Sequence, residues 1–231
     1  MEGVPVGGGV EGFDTEPARE INVARLAHLE RMQLPMDGRS VLEVGAGVGH
    51  LSQFFVARGC RVVATEAREA NVERMKALYP TLDARLANVE DDLTRFGRFD
   101  VVFCYGLLYH LENPVRALRN MAVVCDDLLL VETVITDADQ PVLQLADETL
   151  SNTQALRGIA HRPSPAYVAL ALNRIGFDHV YTPLEAPEHP DYRFDAKGDF
   201  AFSRDGYLLR QIFVASRQRL DDGRFAPLLE E

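Results

Sequence analysis

The chain of 231 residues contains no tryptophan, only three cysteines and no apolar run long enough to span a bilayer. It also has fewer basic than acidic residues, 24 against 35, which gives a net charge of −11. A field of that sign repels the phosphate backbone of nucleic acids. The balance therefore favours a small-molecule substrate over tRNA or DNA, and no membrane partner is expected.

The scarcity of cysteine bears on the cellular compartment. Cys60, Cys104 and Cys125 are odd in number and lie in or beside apolar strands, without the spacing of a disulfide framework or a zinc site. The first residues show no basic region followed by an apolar stretch, as a secretory signal would. We therefore expect reduced, buried thiols in a cytoplasmic protein, and Cys104 is expected to fill a strand rather than act as a nucleophile.

The stretch 41–50, V-L-E-V-G-A-G-V-G-H, organises the chain. An apolar strand runs into three glycines at alternate positions, and a helical segment follows. A strand that turns into a helix over glycines leaves N–H groups pointing outward, with no Cβ to keep a ligand away. The next strand ends at Glu66, whose carboxylate can accept hydrogen bonds from both hydroxyls of a ribose. Together these features predict one half of a cofactor pocket.

The spacing of the glycines bears on which cofactor binds. A dinucleotide fingerprint carries its third glycine one residue later, where this chain has His50. With Glu43 before the loop and Glu66 after it, the pattern resembles the class I S-adenosylmethionine-dependent methyltransferases. The resemblance implies S-adenosyl-L-methionine as cofactor, S-adenosyl-L-homocysteine as product, a ribose contact from Glu66, and a cofactor-lining set of Glu43, Gly45, Ala46, Gly47, Gly49 and Ala67.

Two alternatives to this interpretation stay open. Glu66 alone does not exclude a nicotinamide enzyme. A loop used only for tight strand–helix packing is also conceivable, but it would leave the spacing to Glu66 without a purpose.

A third strand is predicted over 81–87, followed by Asn88-Val89-Glu90. In the family that the chain resembles, a polar residue just past this strand bonds the adenine amino group and the next backbone N–H meets a ring nitrogen. The resemblance therefore assigns adenine contacts to Asn88 and Val89, with Glu90 as a competing candidate. The alternative is that Asn88 and Asp91 cap the following turn.

The fourth strand, over 99–105, is apolar on both faces and is followed by G-L-L-Y-H-L-E-N-P at 106–114. Its carboxyl end is expected to open onto the same crevice as the glycine loop. The run resembles a methyltransferase subset that includes the tRNA uridine carboxymethyl-transferring enzymes, over about 40–136. Tyr105 and Tyr109 are candidates to cover the methionine part of the cofactor or to shape the substrate slot, and equally to be core residues.

His110 is the candidate catalytic base, because an imidazole titrates near neutral pH and this one lies just past the fourth strand. The alternative is a structural histidine that bonds a backbone carbonyl. Further polar residues are candidates to line the crevice: Glu132, Asp147 and Glu148 as acids, and Arg157, His161 and Arg162 to grip an anionic substrate group. No pair of acids at the end of the fourth strand indicates the divalent-metal site of catechol-type methyltransferases.

The elements together predict a single α/β domain over 14–220. We expect a Rossmann-like, seven-stranded, mostly parallel sheet with an antiparallel last strand, helices on both faces and a helix before the first strand. Two long segments, about 137–163 and 184–206, are predicted insertions over the carboxyl edge of the strands. Residues 1–13 are predicted to be a flexible lead and residues 221–231 a solvated acidic tail.

The sequence thus supports a primary hypothesis and two alternatives. The first is transfer of a methyl group from S-adenosylmethionine to oxygen or nitrogen of a small metabolite or sugar-like compound. The alternatives are a tRNA-modifying methyl- or carboxymethyl-transferase and a non-catalytic partner subunit with the cofactor fold. The acceptor and the oligomeric state do not follow from the sequence, since fold does not fix chemistry.

Overall fold

The computed structural model describes residues 11–221 and 223–229. Its strands in chain order are β1 (Ser40–Val44), β2 (Arg61–Glu66), β3 (Asp83–Leu86), β4 (Phe99–Tyr105), β5 (Cys125–Val134), β6 (Leu143–Asp147), β7 (Ile159–Pro163), β8 (His179–Pro183), β9 (Ser203–Arg204), β10 (Tyr207–Leu208), β11 (Arg210–Ser216) and β12 (Phe225–Pro227). The helices are α1 (Glu16–Met32), α2 (Ser52–Val56), α3 (Glu69–Leu78), α4 (Pro114–Val124) and α5 (Pro165–Arg174).

The main sheet has the spatial order β12-β8-β11-β5-β4-β1-β2-β3. Strands β3, β2, β1, β4 and β5 run parallel, and β11 inserts antiparallel between β5 and β8. The predicted mostly parallel, Rossmann-like sheet with an antiparallel last strand is therefore confirmed, but the sheet has eight strands rather than seven because β12 adds an edge strand beside β8. The order reverses between β1 and β4, and in open α/β sheets this switch point is where ligands bind, beyond the strand carboxyl ends.

Helices cover both faces of the sheet, as the apolar strand runs predict. On one face α4 and α5 pack through residues such as Leu118 and Leu172. On the other face α1, α2 and α3 pack through Leu29, Phe55 and Met75. Because both faces are buried, the strands are fixed in register and their carboxyl ends form a rigid edge for a site.

Side-chain hydrogen bonds cap the first turns of α1 and α5. Thr15 caps α1, with its hydroxyl oxygen accepting from the N–H of Ala18, and Ser164 caps α5 by accepting from Tyr167. Among the described residues, no helix combines the length and the apolar character that crossing a membrane requires.

The two ends of the chain differ from the prediction. Of the predicted lead, residues 1–10 lie outside the described residues, while Glu11–Phe13 form a 3-10 turn. The predicted solvated tail is wrong for its central part, because Phe225–Pro227 forms β12 against β8 and Phe225 is buried. Phe225 is the only aromatic residue beyond 221, and burying it against Tyr181 outweighs the acidic composition that suggested solvation.

The two predicted insertions contain structure of their own. Segment 137–163 folds into an antiparallel hairpin of β6 and β7, joined by a loop over 148–158. Segment 184–206 contains the 3-10 turn Pro190–Tyr192 and β9, which pairs with β10. After it, β10 and β11 are separated by the single residue Leu209, whose N–H donates to the carbonyl of Phe202.

Candidate active site

The glycine loop between β1 and α2 forms the floor of the site. Gly45 and Gly47 have φ of 66° and 56°, which L side chains rarely adopt. A Cβ on Gly45 would lie 2.7 Å from the Leu107 side chain, and one on Gly47 would lie 2.6 Å from the Phe13 ring. Only glycine therefore fits at both positions.

A first cleft of about 860 Å³ opens beyond the carboxyl ends of β1, β2, β3 and β4. It is bounded by the glycine loop, by the turns after β2 and β3, by the 3-10 turn after β4 and by the loop of the first insertion. Seven of the predicted site residues line it: Gly45, Gly47, Glu66, Ala67, Asn88, Val89 and His110, together with the competing candidate Glu90.

Glu66 lies at the centre of the first cleft, at the end of β2. One carboxylate oxygen accepts from the N–H of Gly47 at 3.1 Å and the other from the N–H of Arg68 at 3.0 Å. Burial raises the pKa of Glu66, and these N–H donors oppose that rise. The carboxylate thus lines the first cleft in a fixed orientation, held by backbone N–H groups of the glycine loop and of the turn after β2.

Asn88 begins the turn after β3. Its Oδ1 accepts from the N–H of Glu90 at 3.0 Å, which is the turn-capping contact of the alternative interpretation. The same residue lines the first cleft, so the turn and the cleft wall are one feature. The Glu90 carboxylate accepts from the N–H of Asn113, which ties this turn to the start of α4.

The insertion loop is fastened over the first cleft by Arg68. Its Nη2 donates to the carbonyl oxygens of Ser151, Gln154 and Ala155, at 3.1, 3.0 and 3.3 Å. Sequence reasoning missed this contact, since the partners are more than 80 positions away and are backbone atoms with no signature.

A second, wider cleft of about 1630 Å³ lies beside the first, between α1, the glycine loop and the segment 189–210. Glu43, Ala46 and Tyr105 line this cleft rather than the first. Seven residues line both clefts and mark where they meet: Phe13, Gly45, Gly47, Gly106, His110, Thr153 and Gln154.

Gly49 and Glu43 have packing roles that the resemblance did not imply. Gly49 is absent from the linings of both clefts as described, and a Cβ there would lie 2.7 Å from Met75. Glu43 is buried and accepts a hydrogen bond from the Ser52 hydroxyl. Burial raises the pKa of Glu43 to about 7 despite that hydrogen bond.

A cluster of buried charges forms the floor of the second cleft; we call it the charge cluster, made of Arg25, Glu132, Asp191 and Arg210. Glu132 accepts from Arg25 Nη2 at 2.6 Å and Arg210 Nη1 at 3.1 Å, and Arg210 Nε donates to Asp191 at 2.8 Å. Burial would raise the pKa of Glu132, but the two guanidinium groups lower it below its ordinary value. Two positive and two negative groups therefore balance one another.

The predicted crevice-facing role of Glu132 is consequently wrong, because its side chain is 0% exposed within this cluster. Tyr192 also donates its hydroxyl to Glu132, at 2.9 Å. The cluster joins α1, β5, β11 and the turn after residue 189, which are distant in sequence. Nothing local in the sequence could have paired them.

His110 lies in the 3-10 turn Leu108–His110, and its Nδ1 is 2.5 Å from Glu148 Oε2. Arg162 Nη2 donates to the other Glu148 oxygen at 2.6 Å. Burial lowers the pKa of His110, and Glu148 opposes that effect. The pKa of Glu148 is lowered to about 2: burial acts to raise it, but His110 and Arg162 outweigh that effect.

Of the three basic residues predicted to grip an anion, Arg157 lines the first cleft, whereas His161 and Arg162 line neither cleft. Arg162 is turned inward to Glu148 and to the carbonyl of Tyr109, and His161 contacts the carbonyl of Leu111. Arg157 is exposed and pairs with Glu112 at 3.4 Å. Cys104 is fully buried, and burial raises the pKa of its thiol, in keeping with its predicted filler role.

Comparison with known proteins identifies the family of the chain. The model of a methyltransferase domain family matches residues 17–182, which span β1 to β8 and both walls of the first cleft. The chain belongs to this family of class I S-adenosylmethionine-dependent methyltransferases. The methyltransferase is thus an enzyme by family, and the third hypothesis, a non-catalytic subunit, is set aside.

Its curated relatives include tRNA U34 carboxymethyltransferases. That of Alcanivorax borkumensis is 26% identical over 94% of this chain and 68% of its own length. That of Haemophilus influenzae is 30% identical over 63% of this chain and 47% of its own length, so the methyltransferase spans about half of that relative. Among solved structures, the N-terminal domain of EvdMO1 with S-adenosylhomocysteine bound superposes with a TM-score of 0.65 at 25% identity, covering 85% of this chain and 81% of that one.

Proposed function

We propose that the methyltransferase moves a methyl group from S-adenosylmethionine to an oxygen or nitrogen atom of a small, sugar-like or related metabolite. The observation that carries the proposal is the meeting of the two clefts at the glycine loop and His110. A donor in the first cleft and an acceptor in the second would face each other there. Holding reactants in that orientation can contribute about 7–11 kcal/mol to lowering the barrier.

The residues of the first cleft fit an adenosyl group and a methionine tail. Glu66 would accept from the ribose hydroxyls, and the turn at Asn88 and Val89 would border the adenine. Gly45 and Gly47 line this cleft, so the methionine tail would lie along the glycine loop. S-adenosylmethionine supplies a methyl group on a positively charged sulfur. Because the compound has no phosphate group, no phosphate-binding cation is needed in this cleft.

The second cleft supports a small acceptor without net charge. Its two arginines are each paired with an acid of the charge cluster, and the chain as a whole carries −11. Related domains are compatible with such an acceptor, since the EvdMO1 domain was crystallised in the presence of D-fucose. The polar wall at Asn22, Tyr105 and Tyr207 offers hydrogen-bonding groups for hydroxyls.

A tRNA substrate is the second candidate, favoured by the names of the curated relatives. Transfer of a carboxymethyl group would place an additional anion beside the acceptor. The nearest cations, Arg25 and Arg210, are already neutralised by Glu132 and Asp191, which favours transfer of a plain methyl group.

The first experiment measures binding of S-adenosylhomocysteine by calorimetry. We expect micromolar affinity, and an at least about tenfold loss in Glu66→Ala, because the ribose hydroxyls lose their acceptor. Glu73→Gln on α3, an exposed acid outside both clefts, is the matched control and should bind as the unmodified protein does. Unchanged affinity in Glu66→Ala would contradict the ribose assignment.

A gel assay with total tRNA separates the two candidates. The small-molecule proposal expects no complex at moderate salt. A retarded band whose intensity falls steeply with salt would favour the tRNA candidate instead. Parallel assays with S-adenosylmethionine and its carboxylated analogue would then identify the transferred group.

A further inference from the structure

We propose that Glu148, carried by the first insertion, positions His110 as the base that removes the proton from an acceptor hydroxyl. The inference rests on the proposed function and narrows it, because it makes the methyl acceptor an oxygen atom. His110 would be the catalytic residue, and Glu148 a positioning residue that acts through it.

The contact between the two side chains is short and shielded. His110 Nδ1 lies 2.5 Å from Glu148 Oε2, with side-chain exposures of 11% and 4%. Glu148 is itself fixed by two further donors, Arg162 Nη2 at 2.6 Å and the N–H of Ala155 at 2.9 Å. A carboxylate held by three donors on three different segments has little freedom to turn away.

This contact decides which ring nitrogen carries the proton. An ionised carboxylate only accepts hydrogen bonds, so Nδ1 must be the N–H donor and Nε2 must carry the lone pair. Among the described residues, no hydrogen bond is made to Nε2, and His110 lines both clefts where they meet. The free lone pair is therefore available where the acceptor and the donor would meet.

The charged and titratable groups around the ring are Glu148 and Arg162 from the insertion, Arg210 from β11, and the neighbouring Tyr109, whose ring centroid is 3.9 Å away. Burial and the two arginines favour neutral imidazole, whereas Glu148 favours the imidazolium ion. The ring is thus neutral before the reaction and is stabilised by Glu148 once it has taken a proton.

The chemistry of the acceptor then follows from proton balance. As the bond between the hydroxyl oxygen and the methyl carbon forms, the carbon–sulfur bond breaks and its electron pair goes to sulfur. The hydroxyl proton passes to His110 Nε2, and the products are a methyl ether, S-adenosylhomocysteine and an imidazolium that later releases its proton to water. A neutral amine attacks through its own lone pair and needs no base at this step, so a buried histidine–carboxylate pair is suited to a hydroxyl.

Nitrogen NMR of the complex with S-adenosylhomocysteine tests the positioning role without a known acceptor. We expect His110 to show a protonated Nδ1 and an unprotonated Nε2 at neutral pH. In Glu148→Gln the pKa of His110 should fall, because the carboxylate that favours the imidazolium is gone. The control Asp147→Asn removes the adjacent, exposed acid of β6 and should leave that pKa unchanged.

The outcomes are distinct. A proton on Nε2, or a His110 pKa that does not move in Glu148→Gln, would overturn the inference even if S-adenosylhomocysteine binds normally. Failure of S-adenosylhomocysteine to bind at all would instead overturn the proposed function. Melting curves of both variants show whether a change in titration accompanies a loss of folding.

Transfer from ¹³C-methyl-labelled S-adenosylmethionine into a small-metabolite extract tests the acceptor atom. The carbon shift of the transferred group distinguishes a methyl ether from an N-methyl amine, and we expect the ether. With that product as readout, Glu148→Gln should lower kcat by about 10²-fold, within the range for losing a well-placed base, with little change in KM. In the pH profile of kcat for Glu148→Gln, the acid limb should move to lower pH, because the pKa of His110 falls. An N-methyl product would contradict the oxygen assignment.

Discussion

The two clefts are built in different ways, although they share a floor. We call one part of the molecule the cofactor half: it consists of the residues within 40–112 that line the first cleft. The acceptor half consists of the groups around the second cleft, which come from α1, β5, β11 and the insertions. The cofactor half consists mainly of short motifs at the ends of four adjacent strands. The acceptor half is held by pairs such as Arg25 with Glu132, which lie 107 positions apart.

This difference shows where each half derives its rigidity. The cofactor half relies on backbone geometry: positive φ at glycines and N–H groups directed at Glu66. The acceptor half relies on side-chain charge pairs removed from water. Backbone geometry tolerates few substitutions but carries little free energy, whereas a buried charge is costly as soon as its partner is removed.

The largest effect is expected in the acceptor half. Glu132→Ala leaves Arg25 and Arg210 buried without their shared acid, so the free energy of unfolding should fall by about 3–5 kcal/mol. Asp126→Ala is the matched control, because its pair with Arg98 is exposed and should contribute less than about 1 kcal/mol. Urea denaturation measures both. Equal, small losses would show that water reaches the charge cluster and would remove the contrast between the halves.

An intermediate, pH-dependent effect is expected at Glu43, a buried residue of β1 that lines the second cleft only. Its pKa in the folded chain is about 7, raised by burial from an ordinary value near 4.5. Its contribution to stability is therefore fully present below about pH 4.5 and is lost as the pH rises to about 7.

Glu43→Gln stays neutral at every pH. Its melting temperature should equal that of the unmodified protein near pH 4 and exceed it near pH 8, where its free energy of unfolding should be larger by up to about 3 kcal/mol. Thermal melts across this range measure the difference. A constant offset at every pH would mean that Glu43 does not titrate in this window.

The smallest effect on stability, but a selective one on binding, is expected in the cofactor half. Gly47→Ala and Gly59→Ala both place a side chain at positive φ, which should cost each about 1–2 kcal/mol, and the Cβ at position 47 would in addition displace the Phe13 ring. Only Gly47 adjoins the first cleft, whereas a Cβ on Gly59 meets nothing within 4 Å. We expect S-adenosylhomocysteine affinity to fall at least about tenfold in Gly47→Ala alone. Equal affinities would return the glycine loop to a packing role.

Much of the fold was predictable because its signals are local. Strand ends and apolar runs act within a few residues, and the family resemblance implied the mostly parallel sheet with its antiparallel last strand. Strand β12 was missed because its burial depends on Phe225 reaching Tyr181 across the sheet edge. Acidic neighbours in the sequence carry no information about that contact.

The predictions for the candidate site succeeded where they depended on local sequence and failed where they depended on distant contacts. Residues of contiguous motifs, such as Glu66, Asn88 and His110, line the first cleft where the spacing placed them. Arg162 was a candidate to grip an anionic substrate group, and Glu132 a candidate to face the crevice from the end of its strand. Their true partners are other side chains, which only the packed structure brings within reach.

The amino-acid sequence by itself determined the sheet, the glycine loop and the acid at the end of β2, because these depend on interactions between near neighbours. Only the tertiary structure decided that Glu148 faces His110 and that the acceptor half is closed by paired charges. Those contacts join segments tens of residues apart, and burial in a common core gives them both their geometry and their strength.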